Sequence, residues 1–228
     1  MIPIFIQARL NSTRLPGKVL KTVNGKTLLG YLVERLRLCE VAGPLVIACP
    51  KPDAGVFGEL ADAVGFDGEE NDVYSRFMSL LAHGSPYAKA PYFIRVCADS
   101  PLLDPKIVDL CATLLMHTNS PIVTNAMMRS YPQGQCVEGV GTWGFKNAYR
   151  MNGEPMSDDD KEHCGMPYLY RHNRPQVLNF VNEDRKDYSD IRMQVDTQED
   201  FERVSSAIKS MTKPHTEYGW KECLALLS

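Results

Sequence analysis

The sequence predicts an α/β protein with a mostly parallel sheet flanked by helices. Through the first half of the 228 residues, short apolar runs alternate with longer amphipathic stretches, a rhythm typical of such sheets. The length fits one large domain, and the sequence contains no internal repeat. Ligands of parallel sheets bind at the carboxyl ends of the strands, so the residues that follow each strand are the first candidates for function.

Strands and helices are predicted in alternation through this first half. Four apolar runs that stop at a polar residue or a proline indicate strands over 2–7, 45–49, 92–97 and 121–124. Apolar residues at three- and four-residue spacing indicate helices over 28–38, 54–64, 72–83 and 104–117. Asp104 followed by Pro105 marks the start of the last helix, because aspartate caps helices and proline fits their first turn.

The rhythm breaks between Asn125 and about Asn182, where Gly and Pro interrupt it. We expect residues 125–182 to form an inserted subdomain within a single domain that spans residues 1–228. Inside it, a strand or hairpin is predicted over 137–145 and a helix over 159–172.

The core pattern returns with a strand predicted over 190–195. Thr197 then caps a helix over 198–209, and Asp200 completes a near capping box with Asp in place of the usual Glu. A last surface helix is predicted over 213–228.

The composition excludes several classes of protein. The 25 basic and 28 acidic side chains leave a formal net charge of −3, without the basic excess of a nucleic-acid binder. No segment approaches the roughly 20 apolar residues that span a bilayer, so we expect no membrane partner. The N-terminus lacks a basic leader and a cleavage site, so no signal peptide is expected.

The seven cysteines are scattered, odd in number and without a C-x-x-C pair. This pattern indicates reduced thiols in a cytoplasmic protein. Zinc is not expected either, because the adjacent His163 and Cys164 are poorly spaced for a shared tetrahedral site.

The segment from Gln7 to Lys18 is the most informative part of the chain. It follows the first predicted strand and carries two arginines, one lysine, two hydroxyls and a glycine. Arginine forks, lysine charges and free backbone N–H groups suit phosphate oxygens, and we expect the basic side chains to lack partners until an anion binds. It is not a Walker loop, because Ser12 replaces its first glycine and Val19 follows the lysine. A basic solvated loop is the structural alternative.

Five short motifs occur in an informative order. The loop at 8–18 has the pattern A-R-x-x-S-T-R-L-P-G-K. It is followed by N-D-V-Y-S-R at 71–76, R-V-C-A-D-S-P-L-L-D-P at 95–105, E-H with P-Y-L-Y within 162–170, and V-D-T-Q-E-D at 195–200. In this order the motifs resemble those of the sugar-activating cytidylyltransferases. These include the CMP-Kdo and CMP-acylneuraminate synthetases and, most similar, the spore-coat polysaccharide cytidylyltransferase family.

The resemblance covers nearly the whole chain and implies a Rossmann-like nucleotidyltransferase of the GT-A type. Such an enzyme transfers CMP from CTP to an acceptor oxygen and releases pyrophosphate, with Mg²⁺ as its cofactor. The resemblance also implies a homodimer assembled through residues 125–182, which carry apolar residues outside the core rhythm. These are Met127, Met128, Trp143, Phe145, Tyr168 and Tyr170.

Motif by motif, the resemblance assigns residues to the nucleotide. The triphosphate would be held by Ala8, Arg9, Ser12, Arg14 and Lys18. The cytosine would be bordered by Ala48, Cys49 and Pro50, with Arg76 and Cys97 near the nucleotide. Arg9, Arg14 and Lys18 are expected to be catalytic, together with Asp99. For Arg76, a solvated helix side chain is the structural alternative.

Asp99 and Asp196 would hold Mg²⁺. Attack at the α-phosphorus develops negative charge on the phosphate oxygens and on the leaving pyrophosphate, so catalysis needs positioning and cations. Mg²⁺ binds one or two carboxylates and keeps waters and phosphate oxygens, which suits this pair. Both follow predicted strands, so we expect one edge of the sheet to present them. The structural alternative for each is a turn or helix cap, the role we assign to Asp104.

The acceptor is expected between the nucleotide and the inserted segment. Its predicted contacts are Tyr131, Glu138, Glu162 and His163. Residues 131–138 resemble the spore-coat family's Y-P-x-G-x-D-x-E, with Cys136 where that family has Asp. This change removes a charge from the expected acceptor pocket. We expect an acidic sugar of the nonulosonic or Kdo-like type, for surface glycan biosynthesis.

Three other functions remain open at this stage. The acceptor of the same CTP site could be a phosphonate or a phosphate. A GT-A glycosyltransferase would release no pyrophosphate, and the lack of D-x-D after a middle strand speaks against it. A non-catalytic nucleotide-binding protein is the third, although both aspartates and the lysine are retained.

Overall fold

Residues 1–227 are described by a computed structural model. The strands in chain order are β1 (Ile2–Gln7), β2 (Thr22–Val23), β3 (Lys26–Thr27), β4 (Ala42–Pro50), β5 (Asp62–Phe66), β6 (Tyr92–Cys97), β7 (Ile122–Thr124), β8 (Glu138–Gly141) and β9 (Val177–Asn179). The α-helices are α1 (Leu28–Leu36), α2 (Ala54–Phe57), α3 (Val73–Leu80), α4 (Pro105–Thr118), α5 (Thr142–Asn152), α6 (Asp158–Glu162), α7 (Met166–Asn173), α8 (Gln198–Lys209) and α9 (Trp220–Ala225). Within these residues, every helix is too short or too polar to span a bilayer.

Seven strands form one sheet in the order β5–β4–β1–β6–β8–β7–β9, and β2 pairs separately with β3. Neighbouring strands are parallel from β5 to β6, and β7 is parallel to β9. β8 is antiparallel to both of its neighbours, β6 and β7. Six strands therefore point one way and β8 alone is reversed. This confirms the predicted mostly parallel sheet flanked by helices.

The reversal of β8 matters for function because of where it places Glu138, the first residue of that strand. Glu138 pairs with Arg95 of β6 and with Thr124, the last residue of β7. The beginning of β8 thus lies at the edge of the sheet where the other strands end. A residue near the middle of the chain thereby joins the edge at which ligands of parallel sheets bind.

Both faces of the sheet are covered, which explains the near-continuous apolar runs of the central strands. In β1, Ile4 and Ile6 pack in a cluster with α1 and α4. Phe5 points to the opposite face and packs with α3, α5 and α7. A third cluster joins α8 and α9 to Leu15 and Tyr31, so the C-terminal helices pack near the loop that follows β1.

Most of the predicted elements are confirmed. β1, β6 and α8 have the predicted bounds, and α1, α3 and α4 lie within one residue of their predicted starts. The Asp104 side chain accepts a hydrogen bond from the backbone N–H of Lys106 at 2.9 Å and caps α4. Thr197 and Asp200 form the complete capping box of α8.

The helix predicted over 54–64 is wrong after its first turn. α2 ends at Phe57, and the chain then forms the edge strand β5. The apolar spacing looked helical, but Gly65 allows β5 to approach the preceding turn closely. A Cβ at Gly65 would lie 2.9 Å from the Cα of Lys51.

The strand predicted over 190–195 is also wrong. Its residues alternate in polarity, but they form only a single bridge, between Arg192 and Gln133. Gly134 has a left-handed φ of +99°, which turns the partner segment away after one pair. The residues before Asp196 are therefore an irregular segment beside the sheet.

Three further predictions need smaller corrections. The strand over 137–145 ends at Gly141, where α5 begins. The helix over 159–172 is divided into α6 and α7, because Gly165 adopts a left-handed φ of +71° between them. The last helix covers Trp220–Ala225 only and buries Trp220, so it is not a surface helix, and Ser228 lies outside the described residues.

Residues 125–182 contribute both to the sheet and to its covering layer. They supply β8 and β9, and their helices α5 and α7 cover one face of the sheet. The boundaries of a subdomain in this segment remain a prediction.

Gly134→Ala is expected to destabilise the fold. A Cβ at Gly134 would lie 2.6 Å from the backbone nitrogen of Gln194, whereas Gly84 has a similar φ of +92° with nothing within 4 Å. Both substitutions place a Cβ on a left-handed backbone, but only Gly134→Ala also brings that Cβ too close to a neighbouring backbone. Gly134→Ala should lower the free energy of unfolding by about 1–3 kcal/mol more than Gly84→Ala, measured by urea denaturation. Equal losses in the two variants would contradict this reading of the segment.

Candidate active site

A cleft of about 510 Å³ opens at the edge where β1 and β6 end and β8 begins. Besides His163, nine charged side chains line it. The cations are Arg9, Arg14, Lys18, Arg95 and Arg129, and the anions are Asp99, Glu138, Glu162 and Asp196. The sequence predicted seven of these nine as site residues; Arg95 and Arg129 were not among them.

The loop after β1 is held at several points. Gly17 has a left-handed φ of +66° and donates its backbone N–H to the carbonyl of Leu10 at 2.9 Å. Leu15 is buried in the core, and the backbone N–H of Leu10 binds Asp53 at 2.9 Å. Local anchoring thus shapes the loop and directs Lys18 into the cleft.

Lys18 joins the two predicted metal ligands. Its Nζ lies 2.9 Å from Oδ2 of Asp99 and 2.7 Å from Oδ1 of Asp196. Burial by itself would lower the pKa of Lys18, but the two carboxylates outweigh it and raise the pKa above its ordinary value. The ammonium therefore stays charged between two acidic groups that are 97 positions apart in the chain.

Asp196 is the more heavily bonded of the two aspartates. Oδ1 also pairs with Arg14 at 3.0 Å, and Oδ2 accepts from Gln194 at 2.8 Å and from Arg192 at 3.2 Å. Burial would raise the pKa of this carboxyl, but Lys18 and the neighbouring arginines lower it. Asp196 is therefore ionised and fixed in position.

The irregular segment before Asp196 is tied to the rest of the site through its backbone. The N–H of Val195 donates to the carbonyl of Asp99 at 2.8 Å. Oδ2 of Asp200 accepts from the backbone N–H of Asp196 at 3.0 Å, so the capping residue of α8 also positions the aspartate. Arg192 pairs with Asp200 at 3.0 Å. Burial alone would raise the pKa of Asp200, but the hydrogen bonds from Arg192 and its neighbours outweigh burial and hold that pKa well below its usual range.

A second group of buried polar side chains forms the floor of the cleft. Arg95 binds one oxygen of Glu138 and Oε1 of Gln7, the latter through Nε at 3.0 Å. The Tyr170 hydroxyl donates to the other carboxylate oxygen of Glu138 at 2.6 Å. Burial and the Glu138 charge raise the pKa of Tyr170 well above its ordinary value. Both oxygens of Glu138 are thus engaged.

Glu162 and His163 lie at the mouth of the cleft. Glu162 pairs with Arg9 at 3.2 Å, and Arg9 also donates to Oδ1 of Asn71 at 2.5 Å. The His163 side chain is 58% exposed, and its Nδ1 lies 2.9 Å from the carbonyl oxygen of Asp159. Arg9, Arg14 and Lys18 therefore all have carboxylate partners, and the expectation that they lack partners before an anion binds is wrong.

Several predicted site residues lie behind the walls of the cleft. Ala48 and Cys49 are fully buried in β4 next to the buried Pro50, and the carbonyl of Ala48 accepts from the N–H of Ala8 at 3.1 Å. Arg76 is 1% exposed and donates to the carbonyl of Ala8 at 3.4 Å, so it is not a solvated side chain. These residues support the loop from behind.

Among the remaining predicted residues, Ala8, Ser12 and Cys97 line the cleft. Burial raises the pKa of the Cys97 thiol to about 12, so it is neutral at physiological pH. Tyr131 does not reach the cleft. It is 4% exposed, packs edge-on against Trp220 with ring centroids 5.3 Å apart, and borders a separate cavity of about 730 Å³ beside α4 and α9.

Sequence reasoning missed five residues of the site: Arg95, Arg129, Tyr170, Arg192 and Gln194. Arg95 carried a signal, because a charged residue inside an otherwise apolar strand needs a buried partner. That partner, Glu138, is 43 residues away, and only the reversal of β8 brings the two together.

The chain matches the family model described as cytidylyltransferase over residues 4–218. Among related proteins, the spore coat polysaccharide biosynthesis protein SpsF of Bacillus subtilis is 29% identical over 217 residues. That alignment covers 90% of this chain and 85% of SpsF.

Solved structures show the same fold. A cytidylyltransferase from Leptospira borgpetersenii has a TM-score of 0.83 at 24% identity, covering 99% of this chain and 93% of its own. A CMP:2-keto-3-deoxy-manno-octonic acid synthetase in complex with CTP has a TM-score of 0.66 at 17% identity, covering 91% of this chain and 98% of its own.

Glu138→Gln is expected to destabilise the protein, because it leaves the buried Arg95 charge without its counterion. The loss in the free energy of unfolding should be about 3–5 kcal/mol, as for other broken buried pairs. Glu162→Gln breaks a more exposed pair with Arg9 and should cost about 0–1 kcal/mol. Urea denaturation of both variants measures the difference. Similar small losses in both would show that Arg95 does not depend on Glu138.

Proposed function

Because the chain belongs to the cytidylyltransferase family and is a nucleotidyltransferase that uses CTP, we propose that it transfers CMP to an acidic sugar with Mg²⁺ and releases pyrophosphate. The observation that carries the proposal is the convergence of Lys18, Asp99 and Asp196 in one cleft beside the loop after β1. The spore-coat function of the SpsF relative supports a sugar acceptor for surface glycan biosynthesis.

The charges of the cleft suit transfer of a nucleotidyl group. Arg9, Arg14 and Lys18 lie on the loop that follows β1 and face the cleft, so they can bind the triphosphate. Negative charge grows on the phosphate oxygens and on the leaving pyrophosphate during attack at the α-phosphorus, and preorganised cations stabilise it. The Ser12 hydroxyl can contribute a further donor, and Ala8 lines the cleft beside it. Ala48, Cys49, Pro50, Arg76 and Cys97 shape the nucleotide side from β4, α3 and β6.

Asp99 and Asp196 fit a divalent cation. The Nζ atom of Lys18 lies 2.9 Å from Asp99 and 2.7 Å from Asp196, so the two carboxylates already share one positive charge. Among residues 1–227 no three His, Cys, Asp or Glu side chains come together as a metal cluster, so phosphate oxygens and water would complete the coordination, as Mg²⁺ prefers. When bound, Mg²⁺ would neutralise phosphate charge and lower the pKa of the attacking hydroxyl.

Lys18 and the metal cannot occupy the same place. We propose that Lys18 is the counterion of Asp99 and Asp196 in the free enzyme and transfers to the triphosphate when CTP arrives. Its long, unbranched side chain and its anchor at Gly17 allow this exchange within the cleft.

The acceptor is proposed to bind toward Glu138, Glu162 and His163, the part of the cleft formed by residues 125–182. Glu162 is 40% exposed and can accept from sugar hydroxyls, and His163 can donate to an anionic group. Glu138 acts through Arg95 and Tyr170, since both of its oxygens are engaged. Tyr131 is left out of this proposal because it lies in the other cavity.

We further propose a homodimer through residues 125–182 and a cytoplasmic location. Met128, Trp143 and Tyr149 are exposed apolar side chains in that segment. Phe145 and Tyr168 pack in the core instead and do not contribute to such a surface. All seven cysteines are free thiols, which supports a reducing compartment.

The proposed activity is tested by pyrophosphate release from CTP, UTP, ATP and GTP with Mg²⁺, against sugar acids, neutral sugars and phosphonates. CTP with a sugar acid should give the highest rate. Asp99→Asn should lower kcat by 10²-fold or more while changing the Kd for CTP little, because the carboxylate acts mainly on transition-state charge. Preference for another nucleotide, or full activity of Asp99→Asn, would overturn the proposal.

Lys18→Ala should increase the affinity for Mn²⁺ in the absence of nucleotide. Removing the ammonium takes one cation away from both carboxylates, although Arg14 and Arg192 still contact Asp196. A unit charge at this range is worth roughly tenfold or more in affinity. Electron paramagnetic resonance of free Mn²⁺ measures the change. Lys51→Ala, which breaks the exposed pair with Asp67, is the control and should have no effect. Unchanged or weaker binding in Lys18→Ala would contradict the proposed exchange.

Light scattering at micromolar concentration should give the mass of a dimer. Trp143→Lys should shift it toward the monomer, because Trp143 is 68% exposed within the proposed interface. Val56→Lys adds the same charge at an exposed apolar residue of α2 and should leave the dimer intact. A monomeric wild-type protein would rule out the dimer.

A further inference from the structure

Arg129 differs from every other cation of the cleft. Arg9, Arg14, Lys18 and Arg95 each lie within 4 Å of a carboxylate. Arg129 is exposed on the wall of the cleft, and its guanidinium has no hydrogen bond or ion pair with residues 1–227. A cation that has no protein partner is available to an anionic ligand.

The backbone on both sides of Arg129 is fixed, although its side chain has no partner. The Asn179 side chain accepts from the N–H of Met128 at 2.8 Å and donates to the carbonyl of Met128 at 3.0 Å. On the other side, Asn182 donates to the carbonyl of Ser130 at 2.7 Å, and its own N–H binds the Ser130 hydroxyl at 2.9 Å. Two buried or half-buried asparagines thus present Arg129 to the cleft from a rigid base, as a preorganised binding residue requires.

Cys136 lines the same cleft as Arg129 but brings no carboxylate to it. Burial raises the pKa of the Cys136 thiol, which is therefore neutral. Asn125 fixes the backbone here by bonding the carbonyl of Gln135 and the N–H of Val137, both at 2.8 Å. An aspartate at this position would place a carboxylate in the same cleft as Arg129.

The other acidic group near Cys136 cannot take this role. Glu138 already binds Arg95 through one oxygen and Tyr170 through the other. The cations expected at the triphosphate all lie on the loop after β1, whereas Arg129 lies on the connection between β7 and β8, with Cys136. Its place and its charge both point to the acceptor rather than to the nucleotide.

We propose that Arg129 binds the anionic group of the acceptor, a carboxylate in a sugar acid, and that the uncharged Cys136 determines this preference. The inference rests on the proposed cytidyl transfer and adds a specificity-determining pair to it. It assigns acidic acceptors to this chain and predicts that one substitution, Cys136→Asp, removes the preference.

The test compares acids with their uncharged esters. The probes are 3-deoxy-manno-octulosonic acid, N-acetylneuraminic acid, the methyl ester of each, and 2-aminoethylphosphonate as the phosphonate arm. Arg129→Gln should raise the KM of the best acid at least tenfold and leave the KM of CTP and of the ester unchanged. Cys136→Asp should likewise raise only the KM of the acid. Cys136→Asn introduces a side chain of the same shape as aspartate but without its charge, and should not raise that KM. Thermal melting verifies that each variant is folded.

Each outcome decides the assignment. Equal losses for acid and ester, a raised KM for CTP, or equal effects of Cys136→Asp and Cys136→Asn would overturn it. Transfer to neutral sugars or to esters alone would overturn it and leave the cytidyl transfer standing. Transfer to the phosphonate alone that is lost in Arg129→Gln would support Arg129 as the anion-binding residue, but would overturn the carboxylate as its ligand in favour of a phosphonate.

Direct binding separates this inference from the proposed function. If no probe is turned over, isothermal titration of the two acids into wild type and Arg129→Gln in the presence of CTP decides. Binding that depends on Arg129 would support the site while the proposed transfer fails. The absence of binding to wild type would overturn both.

Discussion

The shared charge of Lys18 with Asp99 and Asp196 holds the site together. It joins the loop after β1, the end of β6 and the segment before α8, which are far apart in the chain. Two carboxylates this close would repel each other when both carry charge, and the Lys18 ammonium between them relieves this repulsion. In the exchange proposed above, a metal takes the place of Lys18 once the triphosphate attracts the lysine. On this proposal, the same electrostatic requirement serves stability before binding and chemistry afterwards.

Charge neutralisation also explains the floor of the cleft. Arg95 is buried in an apolar strand and is tolerated because Glu138 and Gln7 satisfy it. Glu138 is held in turn by Tyr170. Since a buried pair costs desolvation on both sides, such a network adds shape and rigidity more than stability. Among the cations of the cleft within residues 1–227, Arg129 differs in having no carboxylate partner, which is why we propose that its partner is a ligand.

Secondary structure was predictable where the signal is local. Apolar runs buried on both faces indicated β1 and β6, and the capping residues Thr197 and Asp200 marked the start of α8. The predictions over 54–64 and 190–195 failed because tertiary contacts at Gly65 and Gly134 overrode a pattern that periodicity alone could not resolve. In both cases a glycine permits a close backbone approach that no pattern of apolar residues records.

The sequence by itself determined the fold class, the family, the basic loop and the two aspartates Asp99 and Asp196 as candidates, because these depend on local runs and on the order of short motifs. Only the tertiary structure decided which charges meet. It paired Arg95 with Glu138 through the reversed strand β8, placed Tyr131 in a different cavity, and left Arg129 without a partner among residues 1–227. Charge pairing depends on distance in space, and residues such as Lys18 and Asp196, 178 positions apart, carry no mark of it in the sequence.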